Sequence, residues 1–130
     1  MSFEPIEDNV NEISRKIVDS AYQVHTTLGP GLLESVYQKC LVVELQERNL
    51  SVKSEVIVPI QYKHHSIDSN LRIDLLVEDT VIVELKSVEQ MLPVFESQVL
   101  TYLKITGKRL GLLINFDVPL IKNGIKRIIL

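Results

Sequence analysis

A chain of 130 residues that is 45% hydrophobic and 24% charged has ordinary globular usage, and its length fits one domain, residues 1–130, with little room for a second. A lone cysteine, Cys40, excludes an intrachain disulfide and a cysteine-built zinc site, and no apolar run approaches the ~20 residues of a membrane span. The net charge of −3 speaks at first against a nucleic-acid partner.

The opening Met-Ser-Phe-Glu-Pro has no basic stretch followed by an apolar one, so no signal peptide is read and a cytoplasmic location is expected. Residues 9–28 predict an amphipathic helix, because Val10, Ile13, Ile17, Ala21, Val24 and Leu28 recur at spacings of three and four. Asn9 and Glu12 have the spacing of a capping box. Gly29-Pro30-Gly31 stops that helix through a left-handed cap followed by a proline. A second helix is expected from Leu33 to Arg48, with Val36, Cys40, Val43 (or Leu41) and Leu45 on its apolar face, and Asn49 ends it.

Three segments rich in β-branched residues follow: Val52 to Tyr62, Leu71 to Val77 and Val81 to Ser87. Asp68-Ser69-Asn70 and Glu78-Asp79-Thr80 supply turns between them, so the three predict an antiparallel meander. Pro93 suits the first turn of a third helix reaching Thr106, which Gly107 closes. Leu110 to Phe116 is a continuous apolar run and reads as a buried strand. Lys122-Asn123-Gly124 is a turn before a last strand, Ile125 to Leu130. The order α-α-β-β-β-α-β-β predicts an α/β fold: a mixed sheet with helices on its faces. From Lys104 onward, Lys104, Lys108, Arg109, Lys122, Lys126 and Arg127 stand against one acid, Asp117. Such a cluster contacts phosphates if it folds onto one face, and is otherwise a solvated surface.

Two strands carry charge where apolar residues are expected. In Val81-Ile82-Val83-Glu84-Leu85-Lys86, Glu84 and Lys86 share a face with Ile82. Asp74 interrupts Leu71-Arg72-Ile73-Asp74-Leu75-Leu76. A hairpin turning at 78–80 sets Asp74 and Glu84 on neighbouring strands near the same level. Buried charge is costly unless paired or bound to metal. Two adjacent carboxylates repel each other unless a cation or a proton lies between them. Magnesium takes oxygen ligands of this kind. Lys86 has the chemistry to orient or deprotonate an attacking water, or to stabilise charge building on a phosphate. The competing reading is a structural ion pair between Lys86 and the two acids. Glu34 suits the start of the second helix for its charge alone. Gln98 and Tyr102 share a helix face, which alone reads as surface. His64 and His65 read as exposed in a polar loop, Cys40 as a small core residue, and His25 as a satisfied, partly buried histidine.

Taken together, these residues resemble the PD-(D/E)XK nuclease superfamily, and within it the small bacterial and archaeal GxxExxY proteins. Gly31-Leu32-Leu33-Glu34-Ser35-Val36-Tyr37 is similar to the motif that names that family. Asp74 and Glu84-Leu85-Lys86 resemble the superfamily's Asp and Glu-x-Lys, and Gln98-Val99-Leu100-Thr101-Tyr102 its Gln-x-x-x-Tyr element. Leu110 to Phe116 resembles its late strand. The resemblance covers about residues 10–130. Phe95 departs from it, standing where a histidine is common, and so does Leu71, where a small residue is common.

The resemblance implies a restriction-endonuclease-like α-β-β-β-α-β core and an endonuclease-like hydrolase dependent on Mg2+ or Mn2+. Its substrate would be DNA in preference to RNA, cut by a metal-activated water. It implies Asp74 and Glu84 as direct metal ligands with the Leu85 carbonyl as a third, and Glu34 binding metal directly or through water. Lys86 would act on the attacking water, with Gln98 and Tyr102 lining the site or touching the substrate backbone. One domain this small leaves room for a homodimer or a protein partner. A non-catalytic nucleic-acid or protein binding module on the same fold is the rival reading.

Overall fold

The computed structural model describes residues 4–130. Met1, Ser2 and Phe3, on which part of the signal-peptide reading rests, lie outside the described residues. The first helix, α1, spans Asp8–Leu28 and buries Ile13, Ile17, Ala21 and Val24 along the expected stripe. The expected capping box does not form. Glu7 is the N-cap without a side-chain hydrogen bond, Asn9 lies inside the first turn, and Glu12 pairs with Arg15 at 3.1 Å. Ile6 packs against the core just ahead of the helix, and this docking starts it earlier than the local motif does. Gly29 has φ 70°, as a stop requires, but ψ −176° carries the chain onward in extended form instead of curling it into a left-handed cap.

Helix α2 spans Glu34–Glu47. Its buried stripe is Tyr37, Leu41 and Leu45, four apart, while Val36 and Val43 are exposed. The expected face was therefore rotated. Tyr37 stacks on Phe116 with ring centroids 4.4 Å apart, and this contact fixes which side turns inward. Cys40 is half-buried against the same core. Asn49 ends the helix in a left-handed conformation, φ 62°.

Strand β1 is Val52–Ile57, shorter than expected. The amide of Val58 still reaches the Leu71 carbonyl at 2.9 Å, but Pro59 has no amide to continue the pairing. The chain then forms a separate hairpin of β2 (Ile60–Tyr62) and β3 (His65–Ile67), with Tyr62 opposite His65. β4 (Arg72–Val77) and β5 (Val81–Lys86) follow, joined by a turn in which Glu78 and Asp79 have φ 53° and 51°. Helix α3 spans Pro93–Thr106 with the proline in its first turn and Gly107 as a left-handed cap, as its sequence predicts. Strand β6 (Leu110–Asn115) is buried throughout, and a 3-10 turn at Ile121–Gly124 leads into β7 (Ile125–Ile129).

The main sheet has the order β1-β4-β5-β6-β7. Only β5 and β6 pair in parallel, as a crossover through α3 requires. The fold is thus α/β with a mixed sheet, and α2-β1-β4-β5-α3-β6 supplies the α-β-β-β-α-β core. Helices α1 and α2 cover one face through a core that includes Val83, Leu85 and Leu112. Helix α3 covers the other through Val99, Tyr102 and Leu103 against Ile82 and Leu113. Its close seat depends on Gly111, where an added Cβ would meet Val99 Cγ1 at 2.6 Å. Among the described residues, no helix is long and apolar enough to cross a membrane.

Candidate active site

The pairing of β4 with β5 runs from Val77↔Val81 to Leu75↔Val83. At the next level two carboxylates take over from the backbone. The amide of Asp74 donates to Glu84 Oε1 at 2.9 Å, and the amide of Leu85 donates to Asp74 Oδ2 at 2.8 Å. Glu84 is 4% exposed. The expected adjacency of Asp74 and Glu84 is therefore present, and each acid is fixed by the other's strand.

A distortion beside them turns this level into a cleft. Residues two apart in a strand share a face, yet Leu75 packs into the α1–α2 core and Ile73 into the α3 core. On β1 the same switch separates Val52 from Val56. Between the flanking pairs Ser54↔Leu75 and Val56↔Ile73, Glu55 has φ 54°, rare for a non-glycine residue. The resulting cleft of about 270 Å3 is lined by Glu34, Glu55, Arg72, Asp74, Glu84, Leu85, Lys86, Gln98 and Tyr102, with Asn70 and Leu71 at its edge. All seven residues singled out from the sequence thus border one cavity.

Their individual settings differ. Lys86 Nζ lies 4.3 Å from the centroid of Phe95, the residue that departs from the family pattern. Among the described residues, the ion pairs of Arg15, Arg48, Lys108 and Lys126 involve neither Lys86 nor the two acids. Lys86 is thus held by an aromatic face, and a structural ion pair with Asp74 and Glu84 is not what it makes. Glu34 opens α2 and accepts the Ser87 amide at 3.3 Å. Ser87 Oγ in turn donates to the Leu32 carbonyl at 2.5 Å. Tyr102 is 1% exposed, so the surface reading fails for it; its hydroxyl donates to the Arg72 carbonyl at 3.0 Å. Gln98, one turn earlier on α3, is half-buried at the cleft.

Burial, and then the charge of Asp74, push the Glu84 carboxyl up to about 8. Asp74 is also raised, first by burial and then by the charges of Glu55 and Glu34, while the Leu85 amide and Lys86 oppose the rise. Two carboxylates raised in this way favour a cation or a shared proton between them. Burial, Glu84 and Asp74 also push the Tyr102 hydroxyl up to about 12, so it stays a neutral donor.

Among the described residues, no three of the His, Cys, Asp and Glu side chains are arranged to hold a metal ion by themselves. Glu34 therefore borders the cleft without completing a three-carboxylate cage. Two carboxylates and a backbone oxygen remain: Asp74, Glu84 and the Leu85 carbonyl. That hard-oxygen set fits Mg2+ or Mn2+, which bind through one or two carboxylates and keep several waters.

The late basic residues do not form one surface. Lys108 pairs with Asp79 at 3.7 Å, and Arg109 donates to the carbonyls of Glu4, Pro5 and Leu130. Both sit by the Val81↔Leu110 end of the parallel pair, whereas Lys86↔Asn115 marks the cleft end. Lys126 pairs with Glu96 of α3, and Arg127 reaches Asn11 of α1 across the sheet.

Sequence reasoning also missed Glu55 and Asn115, which support the site beside residues it had singled out. Glu55 reads as an ordinary outward strand residue, and only its backbone turns it to the cleft. Asn115, 2% exposed, accepts the Val88 amide at 3.1 Å and donates to the Val88 carbonyl at 2.9 Å, pinning the chain just beyond Lys86. An asparagine ending an otherwise apolar run was its only signal. Tyr37 donates to the Gly29 carbonyl at 2.6 Å and accepts the Leu32 amide at 3.1 Å, closing the loop ahead of Glu34. His25 bonds the Val118 carbonyl at 2.8 Å and is a satisfied buried histidine. His64 and His65 are exposed, though His65 belongs to β3.

A family model described as the PD-(D/E)XK nuclease superfamily matches residues 11–128. No curated protein and no solved structure matches the chain.

Proposed function

The chain belongs to the PD-(D/E)XK nuclease superfamily, and from that premise we propose that it is a divalent-metal-dependent nuclease hydrolysing phosphodiester bonds, of DNA in preference to RNA. On this reading residues 1–130 act as one domain in the cytoplasm. A bound Mg2+ or Mn2+ supplies Lewis acidity towards the phosphoryl oxygens and lowers the pKa of water. Asp74, Glu84 and the Leu85 carbonyl hold the ion. Lys86, resting over the Phe95 ring, orients the attacking water and offsets charge building on the phosphate. Glu34 reaches the same water shell. Gln98 contacts the substrate backbone, and Tyr102 lines the site with its hydroxyl committed to the Arg72 carbonyl. A homodimer or protein partner would extend the contacts that so small a domain offers.

The observation that carries this reading is a buried acid pair, Asp74 and Glu84, that makes no ion pair among the described residues. Such a pair is costly unless an ion or a proton joins it. Crystals soaked in Mn2+ test it. Anomalous density between Asp74 and Glu84, with oxygen ligands at about 2.0–2.3 Å, together with Mn2+-dependent cleavage of DNA, is the expected result. Nucleic-acid binding that ignores Mn2+ and never leads to cleavage would instead identify a non-catalytic binding module.

A further inference from the structure

We propose that the hairpin of β2 and β3 is a nucleic-acid-contacting arm that guides the phosphodiester backbone into the cleft. This rests on the nuclease reading and names the surface by which the substrate arrives.

The hairpin is not explained as core. From Gln61 to Ile67 every residue is exposed, including Tyr62 at 61%. An isolated two-stranded hairpin is marginal in water, yet this one has a fixed base. Ser69 Oγ donates to the Val58 carbonyl at 2.5 Å and accepts the Leu71 amide at 3.1 Å. Asp68, the one acid between residues 60 and 72, has its Oδ1 occupied by the Asn70 amide at 3.0 Å. An exposed arm is thus tied down at its base.

Its chemistry suits a polynucleotide. Tyr62, Lys63, His64 and His65 are consecutive, and Lys63 Nζ lies 5.6 Å from the Tyr62 ring centroid. A cation beside an exposed aromatic face offers one group for a phosphate and one for a base. A second cavity, of about 290 Å3, runs along the hairpin base past Ser66 and Asp68. It shares Asn70, Leu71 and Arg72 with the cleft, so the same three residues border both. Charge selects this side for entry. Glu34 and Glu55 stand on the α2 side of the cleft, with Glu55 bonded to Gln38 of α2 at 3.1 Å, and would repel a phosphate chain there. The hairpin side presents Arg72 in the shared wall, with Lys63 farther out on the hairpin itself.

The test measures binding of a labelled single strand of about 20 nucleotides, and of its duplex, by fluorescence anisotropy in Ca2+, with salt varied. The triple variant Tyr62→Ala, Lys63→Ala, His65→Ala is compared with the native chain, and Lys63→Glu serves as a single exposed change that leaves the hairpin intact. Affinity should fall by roughly tenfold or more in both variants, and the salt slope should shrink by about one for the lost lysine. Preference for the single strand would assign base stacking on Tyr62 the larger share, and equal loss on the duplex would assign it to phosphate contact. Unchanged affinity in both variants overturns the proposal, as does a native chain that binds neither probe. Mn2+-dependent hydrolysis of bis(p-nitrophenyl) phosphate by the native chain judges the nuclease reading separately, because so small a diester needs no arm.

Discussion

Asp74 and Glu84 anchor each other: the Asp74 amide donates to Glu84, and the amide following Glu84 donates to Asp74. The acids are fixed by backbone amides, and burial, then the charge of Asp74, raises Glu84 while Lys86 opposes the rise. Glu84 is pushed up to about 8 from an ordinary 4.5. The folded chain therefore binds more protons than the unfolded chain between those values. The stability this contributes is fully present below the unfolded value and is lost as pH rises through about 8. In chelator, the melting temperature should fall between pH 5 and pH 9, and Glu84→Gln should flatten that fall and raise stability at the alkaline end by about 1 kcal/mol or more. Saturating Mn2+ should remove the fall in the native chain. A pH-independent melting curve in chelator would show that the acids do not share a proton.

Lys86 rests on Phe95 and pairs with neither acid. Lys86→Met should leave the fold nearly unchanged and still allow Mn2+ to bind, because no direct ion pair is broken, although the acids lose a nearby charge that favours their ionised forms. Phosphodiester hydrolysis should fall by about 100-fold or more, the usual scale for losing a group that acts on the attacking water. Calorimetric Mn2+ titration and cleavage rates measured on one preparation separate the two effects. Full cleavage by the variant would remove Lys86 from the mechanism.

Tyr37 bridges Gly29 and Leu32, and Leu32 is tied in turn to Ser87 beside Glu34. Tyr37→Phe keeps the stacking on Phe116 and deletes only the bridge. It should cost about 1–3 kcal/mol in urea unfolding, with faster exchange of the Leu32 amide. Exchange at native rate would mean that the loop is held by other contacts.

Asn115 satisfies both polar groups of the Val88 backbone. Asn115→Ala leaves them unpaired in a part-buried place, at a cost of about 2–4 kcal/mol. Because Val88 follows Lys86 by two residues, cleavage should fall further than the lost stability explains when assayed well below the melting temperature. Equal losses in stability and activity would make Asn115 purely structural.

Much of this arrangement was written in local sequence. Pro93 and Gly107 delimit α3 because a proline fits a first helical turn and a glycine accepts the left-handed cap, constraints that act within a few residues. The apolar run of β6 demanded burial on both faces. The level pairing of Asp74 with Glu84 followed from counting out from the turn at 78–80, since antiparallel register is fixed by its turn.

What only the tertiary structure decided were choices between locally equivalent options. Residues 52–62 are rich in β-branched residues, and the hairpin of β2 and β3 exists because Pro59 has no amide to continue the pairing of β1. Both sides of α2 carry apolar residues, and docking of Tyr37 on Phe116 chose the inner one. Strand periodicity places Ile73 with Leu75, and the left-handed Glu55 beside them turns the faces over and opens the cleft. Sequence set Lys86 beside Glu84, but the ring that holds it comes from α3. Such outcomes depend on contacts between residues far apart in the chain, whose free energies outweigh the local preference of any one segment.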